Sequence, residues 1–225
     1  MTITSAPSVQ TDRFVHDRLP PADQWPQMRY NLPELQIPAQ ANLVDVLFER
    51  ASQRGLSERP FLRSDKITLS YREANDRVQR IAQVLTQDLQ LVPGNRVLLR
   101  GGNTIGMALA WLGVVKAGLV AVATMPLLRA KELGDIIDKA QPVLALCDAK
   151  LLDELQLAQA QAPVLRRIVA FNSGDVEATT SMEAMAARKS PHFDACPTAG
   201  TDIALLAFTS GTTGKPKAAV HTHRD

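Results

Sequence analysis

Ile203-Ala-Leu-Leu-Ala-Phe208 runs directly into Thr209-Ser-Gly-Thr-Thr-Gly-Lys-Pro-Lys217. An unbroken apolar run bounded by polar residues predicts a strand buried on both faces, as in parallel sheets. Open α/β sheets place their ligands at the carboxyl ends of such strands, which is where the second segment begins. Gly211 and Gly214 can adopt positive φ angles and turn backbone N–H groups toward an anion. Thr209, Ser210, Thr212 and Thr213 add hydroxyl donors, and Lys215 and Lys217 add charge that neutralises phosphate. Together these residues predict a phosphate-cradling loop. An ordinary surface loop is also rich in glycine and threonine, but it has no need of two lysines around a proline directly behind a buried strand.

Two other phosphate loops do not fit. The P-loop pattern needs four residues between its glycines and a Ser or Thr after its lysine. Here only Thr212 and Thr213 separate the glycines, and Pro216 follows Lys215. A dinucleotide fingerprint needs glycines at its first, third and sixth positions and an acid about twenty residues later. Gly101-Gly-Asn-Thr-Ile-Gly106 has the wrong spacing, and no acid occurs between Gly101 and Lys131. Those glycines are read as easing a strand-to-helix turn.

Working outward from the loop, strands and helices alternate. Asn42 is positioned to cap a helix carrying Leu43, Val46, Leu47 and Ala51 at helical spacing, and Gly55 ends it. Ser70 and Glu73 form a capping box for a helix from Tyr71 to Leu89, with an apolar stripe through Ala74, Val78, Ile81, Ala82 and Leu85. Strands are predicted at Val97–Leu99, Leu119–Ala123, Val143–Cys147, Ile168–Phe171 and Ile203–Phe208. Helices are predicted from an Asn103 cap to Lys116, over Lys131–Ala140 and Leu151–Gln161, and near Met182–Arg188. This order predicts an α/β fold with a mostly parallel sheet covered by helices on both faces. Residues 1–40, with prolines at 7, 20, 21, 26, 33 and 38, read as an irregular N-terminal arm that Trp25 and Tyr30 hold to a surface. Residues 41–225 read as the sheet-containing unit.

Composition excludes several functions. With 45% apolar residues, 21% charged and a formal net charge of +2, the chain has no electrostatic footprint for nucleic acid or an anionic membrane. Arg166-Arg167 is read as a solvated strand flank. Two lone cysteines, Cys147 and Cys196, carry no metal spacing and point to a reducing compartment. No secretory signal occurs at Met1–Asp12, so a cytoplasmic location is expected. Between Ile105 and Leu128 the only charge is Lys116. A central lysine costs a membrane span about 2.5–3.5 kcal/mol, whereas it suits the last turn of a helix stopped at Gly118. A buried helix and strand are therefore expected there. His221 and His223, two residues apart, would point away from each other. That is poor metal geometry, and a structural or capping role is expected for His223.

Thr209–Lys217 resembles the phosphate-loop signature of the adenylate-forming, AMP-binding superfamily of acyl- and aryl-CoA synthetases, peptide-synthetase adenylation domains and luciferases. Leu69-Ser-Tyr-Arg-Glu73 and Val115-Lys-Ala-Gly118 resemble two earlier motifs of that family, in the same order. Within it the chain is most similar to the benzoate- and anthranilate (2-aminobenzoate)–CoA ligase branch. That likeness is carried by Asp17-Arg-Leu-Pro-Pro-Ala-Asp-Gln-Trp-Pro26, Leu32-Pro-Glu-Leu35, Ala123-Thr-Met-Pro-Leu-Leu-Arg-Ala-Lys-Glu-Leu133 and Val220-His-Thr-His-Arg224. One departure is Ala218, where most members have glycine, which implies a stiffer loop exit.

The resemblance implies ATP, Mg²⁺ and CoA as co-substrates and an aromatic carboxylic acid as substrate. It implies that Thr209, Ser210, Gly211, Thr212, Thr213, Gly214, Lys215 and Lys217 hold the β- and γ-phosphates, with Mg²⁺ touching a loop threonine. It also implies that the adenine-binding loop, the acidic residue for Mg²⁺, the ribose-binding aspartate, the hinge and the mobile C-terminal domain with its catalytic lysine lie beyond Asp225. No catalytic residue and no metal ligand is assigned within the chain. The expectation is an N-terminal portion that does not turn over ATP alone and self-associates through an open sheet edge. Two other readings stay open: a non-catalytic nucleotide- or phosphate-binding module, and an adenylation domain serving a carrier protein. Coding sequence downstream of Asp225 separates them.

Overall fold

The computed structural model describes residues 6–25, 31–32, 37–174, 179–209 and 216–225. Its centre is a run of short apolar strands that cannot be satisfied by one covered face. Strands β3 (Arg96–Arg100), β4 (Val120–Thr124), β5 (Leu144–Asp148), β6 (Arg167–Phe171) and β7 (Ile203–Thr209) pair in parallel, and β8 (Lys217–Thr222) returns antiparallel to β7. The sheet order is β6-β5-β3-β4-β7-β8. A short antiparallel ribbon, β1 (Pro60–Arg63) with β2 (Thr68–Ser70), stands apart from it.

Side-chain alternation splits the core in two. Val97, Leu99, Ala121, Leu144 and Leu146 pack against α1 (Leu43–Gln53), α2 (Tyr71–Gln83), α3 (Ile105–Lys116) and α6 (Met182–Ala187). Leu98, Val120, Val122, Ala145 and Leu206 pack against α4 (Ala130–Ala140), α5 (Leu152–Gln159) and Val15 of the arm. Burying a leucine such as Leu98 or Leu99 fully contributes on the order of 2 kcal/mol, so both faces stabilise the same strands. The expected α/β fold with a mostly parallel, doubly covered sheet is the one observed.

Local signals position most helices. The Ser70 hydroxyl accepts from Glu73 N–H at 3.2 Å, while the Glu73 carboxylate accepts from Ser70 N–H at 2.8 Å. Asn42 accepts from Val44 N–H as the cap of α1. Gly55 and Gly118, both at positive φ, follow α1 and α3. Lys116 in the last turn of α3 is buried, and its ammonium lies 3.0 Å from Asp45. No described helix is long and apolar enough to cross a membrane.

Several elements differ from the sequence reading. The helix expected to reach Leu89 is α-helical only to Gln83 and π-helical over Val84–Asp88. There the Thr86 hydroxyl donates to Ala82 O at 2.9 Å, the carbonyl that an α-helix would give to the Thr86 amide. Thr104, not Asn103, caps α3, because its extended backbone lets its hydroxyl accept from Met107 N–H at 3.2 Å. The β1–β2 ribbon was not expected. Its strands are too short to show a period, and Phe61 is held between Phe48 and Tyr71 at 5.6 and 4.5 Å.

The arm contains two 3₁₀ turns, His16–Arg18 and Ala22–Gln24, and closes the amino end of the sheet. The buried Gln10 amide donates to Ile203 O at 2.7 Å and accepts from Ile203 N at 3.2 Å, as a neighbouring strand would. Asp12 accepts from Phe14 N–H and Asn95 and pairs with buried Arg96. Burial pushes the Asp12 carboxyl up, but the Phe14 amide and the Arg96 guanidinium outweigh it and hold the group below its ordinary range. Phe14 lies under the Arg18 and Arg96 guanidinium groups, 3.8 and 4.5 Å from its ring centre. Trp25 is half exposed and donates to Pro20 O; Tyr30 lies outside the described residues.

Candidate functional site

Five parallel strands aim their carboxyl ends the same way, and three of those ends are closed by the protein itself. At β4, the buried Thr124 hydroxyl donates to Leu99 O at 2.8 Å. At β5, Asp148 accepts from Lys150 N–H and from Asn172 Nδ2 at 2.7 Å. At β3, the Arg100 guanidinium is taken up by backbone carbonyls. β7 differs, because it ends in exposed Thr209.

Thr209 lies directly opposite Lys217, the first residue of β8, in the antiparallel register. Alternation puts both on the sheet face of Leu205, whereas Phe208 and Ala218 pack on the α4 side. The two ends of the sequence motif are thus cross-strand neighbours at the mouth of a hairpin. Ser210, Gly211, Thr212, Thr213, Gly214 and Lys215 lie outside the described residues. The Lys139 ammonium at the end of α4 donates to Pro216 O at 2.8 Å and ties the start of β8 to that helix.

Beside this hairpin mouth is a cleft of about 130 Å³. Its walls include Thr124 at the end of β4, Met125 and Leu128 after it, Glu132 and Asp135 on α4, and Thr209 with Pro216. Pockets for whole drug-sized ligands hold about 300–1,000 Å³. The cleft is well below that range, and its lining is mostly apolar with two acids, Glu132 and Asp135.

Other reactive groups are silenced by their surroundings. Burial pushes the Cys147 thiol up to about 12 and the Cys196 thiol up to about 11, so neither is a thiolate nucleophile near neutrality. His223 is buried, its Nδ1 accepts from Leu43 N–H at 3.1 Å, and burial draws its pKa down to about 4. It caps the start of α1, a residue pairing 180 positions apart. His221, by contrast, is exposed. No described residues form a group of three His, Cys, Asp or Glu able to hold a metal. At the cleft, Asp135 pairs with Lys131, and Glu132 accepts from Arg129 N–H. The described donor set does not fit a protein-held Mg²⁺.

Residues 47–225 match the AMP-binding enzyme family. The chain belongs to that family. Among its curated relatives, the benzoate–CoA ligase of Thauera aromatica is 28% identical, over 86% of this chain and 36% of its own length. The salicyl-AMP ligase / salicyl-S-ArCP synthetase of Mycobacterium tuberculosis is 33% identical, over 70% of this chain and 28% of its own. The same fold occurs in the crystal structure of the anthranilate CoA ligase AuaEII with anthranoyl-AMP, with a TM-score of 0.77 at 23% identity, covering 84% of this chain and 36% of that one. ATP-bound MatB from Rhodopseudomonas palustris superposes with a TM-score of 0.70 at 27% identity, over 82% and 35% of the two chains. The chain spans about a third of the length of these AMP-binding relatives.

The sequence reading named Thr209 and Lys217 as candidates but did not show that they pair across β7 and β8. It also missed Lys139, Arg100 and the acidic rim of Glu132 and Asp135. A signal for β8 was present, since the strand Ile203–Phe208, a glycine-containing loop and Ala218-Ala-Val220 form a hairpin pattern. The contacts of Arg100 and Lys139 had no local signal.

Proposed function

We propose that this chain supplies the phosphate-gripping part of an ATP-dependent acid–CoA ligase that acts on an aromatic carboxylic acid. The observation that carries the reading is the placement of Thr209 and Lys217, the two ends of the hydroxyl- and lysine-rich motif, side by side at the carboxyl end of β7. In the proposed first step a carboxylate oxygen attacks the α-phosphorus of ATP. The bond to the bridging oxygen breaks, and pyrophosphate leaves. In the second, the CoA sulfur attacks the acyl carbon of the adenylate and AMP departs.

Hydroxyls of Thr209, Ser210, Thr212 and Thr213, backbone N–H groups at Gly211 and Gly214, and the charges of Lys215 and Lys217 would hold the β- and γ-phosphates. Groups fixed in advance stabilise the departing pyrophosphate without having to reorganise. Mg²⁺ would arrive with the nucleotide, and no described residue is assigned to it. The aromatic acid is supported by relatives named as benzoate–CoA and 4-hydroxybenzoate–CoA/benzoate–CoA ligases, at 28% and 30% identity. A carrier-protein thiol in place of CoA is a second reading, supported by the salicyl-S-ArCP synthetase at 33%. Because these 225 residues match about a third of such relatives, we propose that by themselves they bind nucleotide and pyrophosphate without turnover.

Calorimetric titration of the chain with ATP and with pyrophosphate tests the reading. Losing one charge-assisted contact to phosphate costs about 1.5–3 kcal/mol, so Lys217→Ala should weaken both ligands at least tenfold with the melting temperature unchanged. Equal affinity in Lys217→Ala and the parent chain would sink it. ATP–pyrophosphate exchange at the rate of a full-length ligase would refute binding without turnover.

A further inference from the structure

Asp202, just before β7, is 0% exposed, and His223, just after β8, is 1% exposed. Asp202 Oδ1 and His223 Nε2 are both closed to solvent, and neither has a hydrogen-bond partner among the described residues. Buried polar atoms are costly to leave unpaired, so each such atom asks for an explanation. The two residues are cross-strand neighbours. Ile203 pairs with Thr222, and His223 N–H donates to Asp202 O at 3.1 Å. Side chains opposite each other on a ladder share one face, so the two open atoms belong to the same buried space.

The remaining atoms of both groups fix what these two can do. His223 Nδ1 accepts from Leu43 N–H at 3.1 Å. A neutral imidazole then carries its proton on the other nitrogen, so Nε2 presents an N–H donor. Burial keeps the ring neutral near pH 7, drawing its pKa down to about 4 against the pull of the Asp202 charge. Asp202 Oδ2 accepts from Val9 N–H at 3.3 Å and Ala199 N–H at 3.0 Å, which leaves Oδ1 as a bare acceptor. His16 Nε2 comes within 3.8 Å of Oδ1 but is committed elsewhere. The Gln10 amide donates to Ile203 O at 2.7 Å, so its oxygen faces the other way. That oxygen accepts from Ile203 N–H at 3.2 Å and from His16 Nε2 at 3.0 Å.

One carboxylate acceptor and one N–H donor on a single buried face select the ligand. A metal ion or an ammonium group has no use for the Nε2–H, and an anion is repelled by the carboxylate. Water accepts from the one and donates to the other, which is how buried waters join groups that the chain leaves unsatisfied. We infer that Asp202 and His223 form a binding site for a single internal water that bridges Oδ1 to Nε2–H. The bridge unites pieces far apart in sequence, because Asp202 also holds the arm at Val9 and the turn at Ala199, and His223 also holds the start of α1 at Leu43.

The test uses the 225-residue chain in solution. In the parent chain the His223 Nε2–H should give a slowly exchanging NMR signal near neutral pH. It should show a water cross-peak of opposite sign in NOE and ROE spectra, as a bound molecule gives. A cross-peak of exchange type alone would mean a ring open to solvent, and a protected N–H with no water cross-peak would mean direct contact with Asp202. Either result overturns the inference, and so does an Nε2–H too labile to be seen. His223→Asn keeps an acceptor for Leu43 N–H but ends short of the Nε2 position. Water-oxygen relaxation dispersion should therefore count one long-lived water fewer in this variant, with near-ultraviolet dichroism as the fold check. An unchanged count overturns the inference as well. If His223→Asn does not fold, the parent spectra decide.

Discussion

At the amino end of the sheet, Gln10 gives its amide to both polar groups of Ile203, and Asn42 caps α1 while donating to the carbonyls of Val115, Lys116 and Cys196. Both side chains are buried. At the carboxyl end of β7, Thr209 and Lys217 are exposed beside a cleft. The same strands therefore end in two chemical environments. One is filled by the protein's own polar groups and stabilises the fold. At the other, β7 presents exposed Thr209 with exposed Lys217 across the ladder, the end where parallel sheets place binding sites. Substitutions at the first end should cost stability, and those at the second should cost binding.

The largest expected effect is at the closed end. Gly94 has φ +90°, and a Cβ there would run into the carbonyl of Asp12 where the arm crosses it. Gly94→Ala should destabilise by about 3 kcal/mol through left-handed strain and a displaced arm. Urea unfolding measures this, and a loss below about 1 kcal/mol would show that the arm does not clasp the sheet.

A pH series sharpens the same comparison. His223 stays neutral in the fold down to about 4, whereas its ordinary value is 6.5. Between those values the unfolded chain binds more protons at this residue, so the His223 contribution falls as pH drops from 6.5 to 4 and levels off below. The shift corresponds to about 3 kcal/mol. His223→Asn keeps an acceptor for Leu43 N–H and should flatten that part of the curve. An unchanged slope in the variant would assign the acid sensitivity to other groups.

The smallest effect belongs at the open end. Leu127→Ser, at a side chain 89% exposed, should change stability by less than about 0.5 kcal/mol. A larger loss would mean that Leu127 is covered in solution, which sedimentation velocity would show as association.

Legibility followed the range of each interaction. The Ser70–Glu73 box and the stripe through Val78 and Ile81 lie within one helix, so residue spacing reveals them. The apolar strands were visible because burial on both faces removes polar alternation. The π-turn over Val84–Asp88 left no mark in the apolar stripe, which runs on through Leu85, and the β1–β2 ribbon was hidden because its strands have no room for a period. Of the candidate site, the motif from Thr209 to Lys217 was visible as composition. Its neighbours Lys139, Glu132 and Asp135 were not, since they reach it from another helix.

The amino-acid order alone determined the alternation of strands and helices and the hydroxyl-rich, doubly basic sequence that follows β7. These follow from propensities and periodicities that act over a few residues. Only the tertiary structure decided that β7 lies beside β4, that Gln10 bonds to Ile203 193 positions away, and that Arg100 donates to Met125 O. Burial is non-directional and leaves neighbour choice open, whereas a guanidinium or amide meets a distant carbonyl only after the chain has closed around it.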